Sequence, residues 1–206
     1  DIIGAGWLFL LNALSYLAVI GALWSMRDLP VRAVRATSLS EALLGGIRHA
    51  LRDRLILFLL VLSALGAVFG RSYQQLLPVF ADDIWQVGSG GYGALLAAGG
   101  AGALIGAFAM ASVRAIEAQG RLLVTSGLLF CALLAAFALA PNLGLGVALL
   151  LPVGIAATVF STLIATMLQL RVPGELRGRV MSLYSVTLIG MPSLGGLGVA
   201  ALAHVA

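Results

Sequence analysis

The sequence predicts an all-α membrane protein, with six transmembrane helices belonging to a larger helical bundle. Three observations carry this prediction. Of the 206 residues, 61% are hydrophobic and only 10% charged, against about 45–50% and about 25% in soluble domains, and the mean hydropathy is +1.09. Apolar runs, each about as long as a bilayer crossing, alternate with short loops. Every second loop is rich in Arg and the others have none, the asymmetry that marks loops retained in the cytoplasm. Transmembrane β-strands would be about ten residues long with alternating polarity, and no stretch reads that way.

The first span is expected over 2–26, with Trp7 and Trp24 near its ends, where amphipathic rings favour the interface. Asn12, Ser15 and Tyr16 form a polar group on it. The segment 27–54 then carries Arg27, Arg32, Arg35, Arg48, Arg52 and Arg54. Within it, Ser38-Leu-Ser-Glu41 has capping-box spacing. Leu39, Leu43, Ile47 and Leu51 then recur at helical spacing, which predicts a short amphipathic helix on the inner membrane face or against the bundle. The expected organisation is therefore 1–26 as one helix, 27–54 as a cytoplasmic linker, and 55–206 as a helical bundle.

The second span is expected over 55–80, followed by an outer loop with Asp82 and Asp83. The third covers 91–113 and the fourth 122–140, the two joined by an inner turn carrying Arg114, Glu117 and Arg121. Pro141-Asn142 closes the fourth span outside, and the fifth runs over 143–170. An inner loop over 171–179 with Arg171, Glu175, Arg177 and Arg179 leads to the sixth span, 180–203. All 12 basic residues are Arg, and only Arg71 falls inside a span. This threading makes 27–54, 114–121 and 171–179 cytoplasmic.

Small residues recur in the spans. Gly99, Gly102, Ala103 and Gly106 give overlapping small-xxx-small pairs that allow backbones to approach closely. Pro152 with Gly154, and Pro192 among Gly190, Gly195, Gly196 and Gly198, mark the fifth and sixth spans as places for helix bending.

Several chemistries are excluded. Gly88-Ser-Gly-Gly-Tyr-Gly93 matches the dinucleotide pattern but has no strand before it and joins two spans, so it reads as a flexible turn. No Walker sequence and no metal-spaced Cys/His cluster is present, and no cofactor is expected. The charge of +4 invites a nucleic-acid reading, but Arg dispersed among membrane-edge loops forms no binding stripe. Cys131, the single cysteine, lies in an apolar run and reads as a packing residue. His49 and His204 read as surface histidines.

The strongest site candidate is Arg71. It lies about sixteen residues into the second span, roughly 24 Å along it. A guanidinium at that depth normally faces a cavity or a partner. Gln74 and Gln75 follow at i+3 and i+4 on the same face. Together they read as the lining of an aqueous path, while Thr158, Ser161, Thr162 and Thr166 on the fifth span read as helix–helix hydrogen-bonding groups. No Asp, Glu or Lys lies deep in any span, so a proton-titrating carboxylate would have to lie elsewhere.

Four stretches carry a family resemblance: Val172-Pro-Gly-Glu-Leu-Arg-Gly-Arg-Val180-Met-Ser-Leu-Tyr184, Trp7-x-Phe9-x-x-Asn12-Ala-x-Ser15-Tyr16, Leu77-Pro78-x-Phe80 and Tyr92-Gly93-x-x-x-Ala97-x-Gly99. Over nearly its whole length the chain resembles the major facilitator superfamily, in the branch of bacterial exporters that includes enterobactin exporters, macrolide efflux proteins and transmembrane secretion effectors. The resemblance implies a twelve-helix fold of two halves, of which this chain holds helices six to eleven, with an N-terminal half of the same protein as partner. It implies export of small amphipathic molecules (drug, macrolide or siderophore class) across the bacterial plasma membrane by alternating access, driven by protons. It aligns Gly106, Arg114, Gly120 and Arg121 with the family's gating loop, although Ser112 and Val113 stand where an acidic residue is usual. It places Glu175, Arg177 and Arg179 at an inner gate. The polar stripe of Arg71, Gln74 and Gln75 is expected along the substrate path, with Asn12 and Tyr16 as further path candidates that also suit helix–helix hydrogen bonding. The lipid bilayer and a small-molecule substrate are the expected partners, and no enzymatic activity is expected. A non-transporting membrane protein and a membrane-embedded enzyme are the other classes the residues leave open.

Overall fold

The computed structural model describes residues 5–25, 39–70, 72–112 and 119–203. Eight α-helices form the described chain: α1 (Ala5–Ser25), α2 (Leu39–Arg52), α3 (Arg54–Leu65), α4 (Ser72–Val79), α5 (Gly88–Ser112), α6 (Gln119–Ala138), α7 (Leu143–Arg171) and α8 (Gly174–Ala203). Two π-helical turns, Gly66–Gly70 and Phe80–Ile84, precede and follow α4. The described residues contain no strand. Four stretches are long and apolar enough to cross a membrane: Arg54–Ile84, Gly88–Ser112, Gln119–Ala138 and Leu143–Arg171. Phe9–Ser25 is a shorter apolar helix. The sixth expected span falls on α8. The all-α membrane architecture follows.

The chain divides into two compact units, Asp1–Thr37 and Ser38–Ala206. The first contains α1, apolar on every side, where Ser15 Oγ donates to the Asn12 carbonyl at 2.7 Å. That local bond satisfies the Ser15 hydroxyl within its own helix. Asn12 and Tyr16 lie one turn apart on α1, both exposed in this unit.

The second unit is built around α7. At the Arg-rich end, Ile56, Leu59, Leu163, Ile164, Leu168, Val172 and Val180 form one buried core. Toward the other end, Leu77, Ala81, Leu95, Phe137, Leu150 and Val153 form a second. The tightest contact is between α5 and α7. A Cβ on Gly102 would overlap the Leu151 carbonyl oxygen, one on Gly154 would overlap the Gly99 carbonyl, and one on Gly106 would come within 2.9 Å of the Ile155 carbonyl. With no water in the hydrocarbon core to drive apolar association, such backbone proximity is how membrane helices gain dispersion energy.

Several boundaries differ from the sequence expectation. The second span does not end at 80: a π turn carries it to Ile84, so Asp82 and Asp83 are exposed helical residues and not loop residues. Gly88–Gly93 is not a flexible turn but the start of α5, after a short reversal with positive φ at Gln86 (52°) and Gly88 (62°). Gly120 and Arg121 lie in the first turn of α6, and Gly106 lies inside α5 against α7, so none of the three is in a loop. Glu175, Arg177 and Arg179 likewise lie in the opening turns of α8. The expected loop over 171–179 shrinks to Val172-Pro173 because Val172 is extended (ψ 128°), as a residue before proline prefers, and Gly174 restarts the helix at once. Helix α7 continues through Pro152 without a break, and α8 is helical through position 192; the side chain of Pro192 lies outside the described residues. Arg71, Arg114, Glu117 and His204 also lie outside them, as do Arg27, Arg32, Arg35 and Ser38.

Helix α2 turns its apolar stripe the other way. Gly46 and Ala50 face the bundle, with Gly46 set against Arg179 of α8, whereas Ile47 and Leu51 are exposed. The small residues win the protein contact because they bring the helix axes closer, and the larger ones are left for lipid.

Candidate functional site

The π turn at Gly66–Gly70 sits between the two cores. Its glycines leave room for rings from neighbouring helices. A Cβ on Gly66 would lie 3.1 Å from Cε1 of Phe160 (α7), and one on Gly70 only 2.7 Å from Cε1 of Phe130 (α6). A Cβ on Gly127 of α6 would lie 3.0 Å from Cε2, at the opposite edge of the Phe160 ring. Extra-residue turns of this kind displace the helix register and are common at functional sites.

The displaced register opens a cavity of about 350 Å³. Its wall includes Ser63 of α3, Ala67 and Gly70 of the π turn, Tyr73 and Gln74 of α4, Phe130 of α6, Thr158, Phe160 and Ser161 of α7, and Tyr184 of α8. A second cavity of about 260 Å³ adjoins it, reaching Leu95, Gly99, Gly100 and Ala103 of α5 and Leu150 and Gly154 of α7. Tyr73, Gln74, Ala157 and Thr158 border both. Among the described residues, none lining either cavity is charged. A lining of rings with a few polar groups is the usual makeup of a small-molecule site.

Polar contacts between helices border the first cavity. Tyr184 OH donates to the Ser161 carbonyl at 3.3 Å. Thr187 Oγ1 donates to the Tyr184 carbonyl at 2.7 Å, which leaves its oxygen to accept from Ser63 Oγ at 3.4 Å. Ser161 Oγ donates to the Thr158 carbonyl at 3.2 Å, within its own helix. Tyr73 stands edge-on to Phe130, ring centres 6.4 Å apart. The Gln74 amide and the Thr158 hydroxyl have no protein hydrogen-bond partner among the described residues. They are the polar groups here that a ligand could engage without breaking a bond.

Of the expected path residues, the structure therefore brings Gln74 to the cavity. Gln75, a further 100° around the helix, borders neither cavity and is exposed. Asn12 and Tyr16 belong to the other unit. Sequence reasoning missed Tyr73, Phe130, Phe160 and Tyr184, and gave Thr158 only a helix–helix hydrogen-bonding role. The available signal was the pairing of glycines with aromatic residues on neighbouring spans.

It also missed the joint at the Arg-rich end. Asp53 caps α3, its Oδ1 accepting from Leu55 N at 2.9 Å and Ile56 N at 3.4 Å. Its Oδ2 accepts from Arg171 Nε at 3.0 Å, which ties the start of α3 to the end of α7. Partial desolvation works against the ionised carboxylate. The hydrogen bond from Arg171, the two backbone N–H groups and the guanidinium charge outweigh it and hold Asp53 below the ordinary carboxylate range. His49 is half-buried, not a surface residue, and its Nε2 has no partner. Cys131 is exposed on α6 and not packed within this chain.

The family model for transmembrane secretion effectors matches residues 1–206. The enterobactin exporter EntS of Shigella flexneri is 31% identical over 200 residues, 95% of this chain and 47% of that protein. EntS of Escherichia coli O1:K1 / APEC is 30% identical over 200 residues, covering 95% and 48%, and that of Escherichia coli O157:H7 (strain EC4115 / EHEC) matches equally. The chain spans about half the length of the curated relatives it matches. No solved structure matches it.

Proposed function

We propose, from the premise that this chain belongs to the transmembrane secretion effector family of the major facilitator superfamily, that it is part of a bacterial inner-membrane exporter of small amphipathic molecules. The observation that carries the proposal is the pair of adjoining cavities, bounded in common by Tyr73, Gln74, Ala157 and Thr158. A space whose described lining is rich in rings, with an unpaired amide and hydroxyl, fits amphipathic ligands.

Transport is by alternating access, the helices of this segment rocking against a companion half around the central site. The Arg-bearing ends face the cytoplasm. Arg71, with Gln74 and Gln75, lies along the outward half of the path and attracts anionic groups. Arg114 and Arg121, with Gly120, and the set Glu175, Arg177 and Arg179 act at the inner gate, where both charge signs permit pairing in the outward-open state. Coupling is to protons, through a carboxylate outside these spans, because none lies deep in them.

The test uses the full-length protein in a pump-deficient strain challenged with dyes, macrolides and siderophores. Gln74→Ala and Thr158→Val each reduce export of at least one class several-fold while membrane expression stays normal. Arg71→Ala does the same. Unchanged export in all three removes the cavity from the path.

A further inference from the structure

Helix α2 ends and α3 begins at the membrane edge, beside the last turn of α7. There His49, Arg52, Asp53, Arg54, Leu55 and Arg171 line an open hollow of about 520 Å³. Three guanidinium groups thus meet one carboxylate. Among the described residues Asp53 forms its ion pair with Arg171, and Arg52 and Arg54 have no ion-pair partner. The buried Nε2 of His49 has no hydrogen-bond partner either, and a buried polar atom left so normally signals a missing ligand or water. Beside the hollow, Ile47, Leu51 and Leu55 are exposed, since α2 meets the bundle through Gly46 and Ala50 instead.

We propose that this hollow binds the headgroup phosphate of an anionic phospholipid. Arg52 and Arg54 hold the phosphate, His49 adds a polar contact, and Ile47, Leu51 and Leu55 lie against the acyl chains. Arg matches phosphate oxygens in bidentate fashion, and basic pockets between transmembrane helices at the cytoplasmic edge are where such headgroups bind. The exposed apolar residues argue for a lipid over a soluble anion, which would leave them unused. The site does not depend on the export reading; it needs only the membrane position of the ends of α3 and α7.

Native mass spectrometry of the full-length protein in detergent tests it, with phosphatidylglycerol and phosphatidylcholine as probes and inorganic phosphate as competitor. Phosphatidylglycerol binds about tenfold or more tightly than phosphatidylcholine, and millimolar phosphate does not displace it. Arg52→Gln with Arg54→Gln lowers phosphatidylglycerol affinity about tenfold or more. Arg48→Gln, which removes one charge one turn away and outside the hollow, is the control for each single variant, Arg52→Gln and Arg54→Gln, and changes affinity less than about twofold. Should the double variant not elute as a folded protein, the two single variants are read instead, each losing several-fold. Equal binding of the two lipids, displacement by phosphate, or an equal loss in Arg48→Gln each overturns the proposal.

Discussion

The α5–α7 contact and the interrupted span Arg54–Ile84 both depend on glycine, for opposite purposes. Between α5 and α7, Gly102, Gly106 and Gly154 let one backbone rest on another. In the interrupted span, Gly66 and Gly70 admit the rings of Phe160 and Phe130 and sit in a π turn beside a cavity. A backbone cannot rotate out of the way, whereas a ring can. The first region is therefore a fixed seam, and the second a place where the register of a helix can change at modest cost.

The largest effect should come from the seam. Gly102→Ala or Gly154→Ala drives a methyl group into a carbonyl of the facing helix, so the helices must separate. The expected loss is at or above the roughly 1–3 kcal/mol of ordinary overpacking, read as a lower melting temperature and poor yield in detergent. Gly93→Ala, on the same helix but with nothing within 4 Å of the new Cβ, is the control and should be neutral or slightly stabilising. If the two seam variants behave like Gly93→Ala, the close approach is not what holds α5 to α7.

The next effect should separate function from stability. Gly70→Ala places a methyl group 2.7 Å from the edge of the Phe130 ring, which can tilt toward Tyr73 and the cavity. Stability should fall by about 1 kcal/mol, less than at the seam, while export falls several-fold because the ring fills cavity space. Transport at the parent level with a melting temperature as low as that of Gly102→Ala would erase the distinction between the two regions.

The seam was legible in the sequence and the cavity largely was not. Gly102-xxx-Gly106 is a local pattern with a local meaning: two small residues on one helical face. The aromatic wall depends on which spans are neighbours, and Phe130, Phe160 and Tyr184 come from three different helices. No spacing rule joins them. Gln74 was legible because a polar residue in an apolar span stands out, whereas Gln75, grouped with it by the i+3 and i+4 spacing, borders neither cavity. The loops were misjudged for a different reason. Charged residues such as Arg121, Glu175 and Arg177 read as loop, yet helices here project past the apolar run by a turn or more, because water at the membrane edge tolerates both charge and helix.

The smallest effect concerns the joint between the two regions, where Asp53 at the head of the interrupted span holds Arg171 at the end of α7. Asp53→Asn keeps a capping side chain, since Asn caps as well as Asp, and removes only the charge. Arg171 is mostly exposed, so solvent screens the pair and the loss at neutral pH should be small beside that of Gly102→Ala. Its pH dependence identifies it. The folded protein holds the Asp53 pKa down, so the carboxylate's contribution is complete above the ordinary carboxylate value near about 4 and is lost as the pH falls through the depressed folded value. The gap in melting temperature between parent and Asp53→Asn should stay constant from neutral pH down to about 5 and close only in stronger acid. A gap that widens on acidification would mean that Asp53 stabilises the fold in its protonated form, and that the two regions are joined by something other than this ion pair.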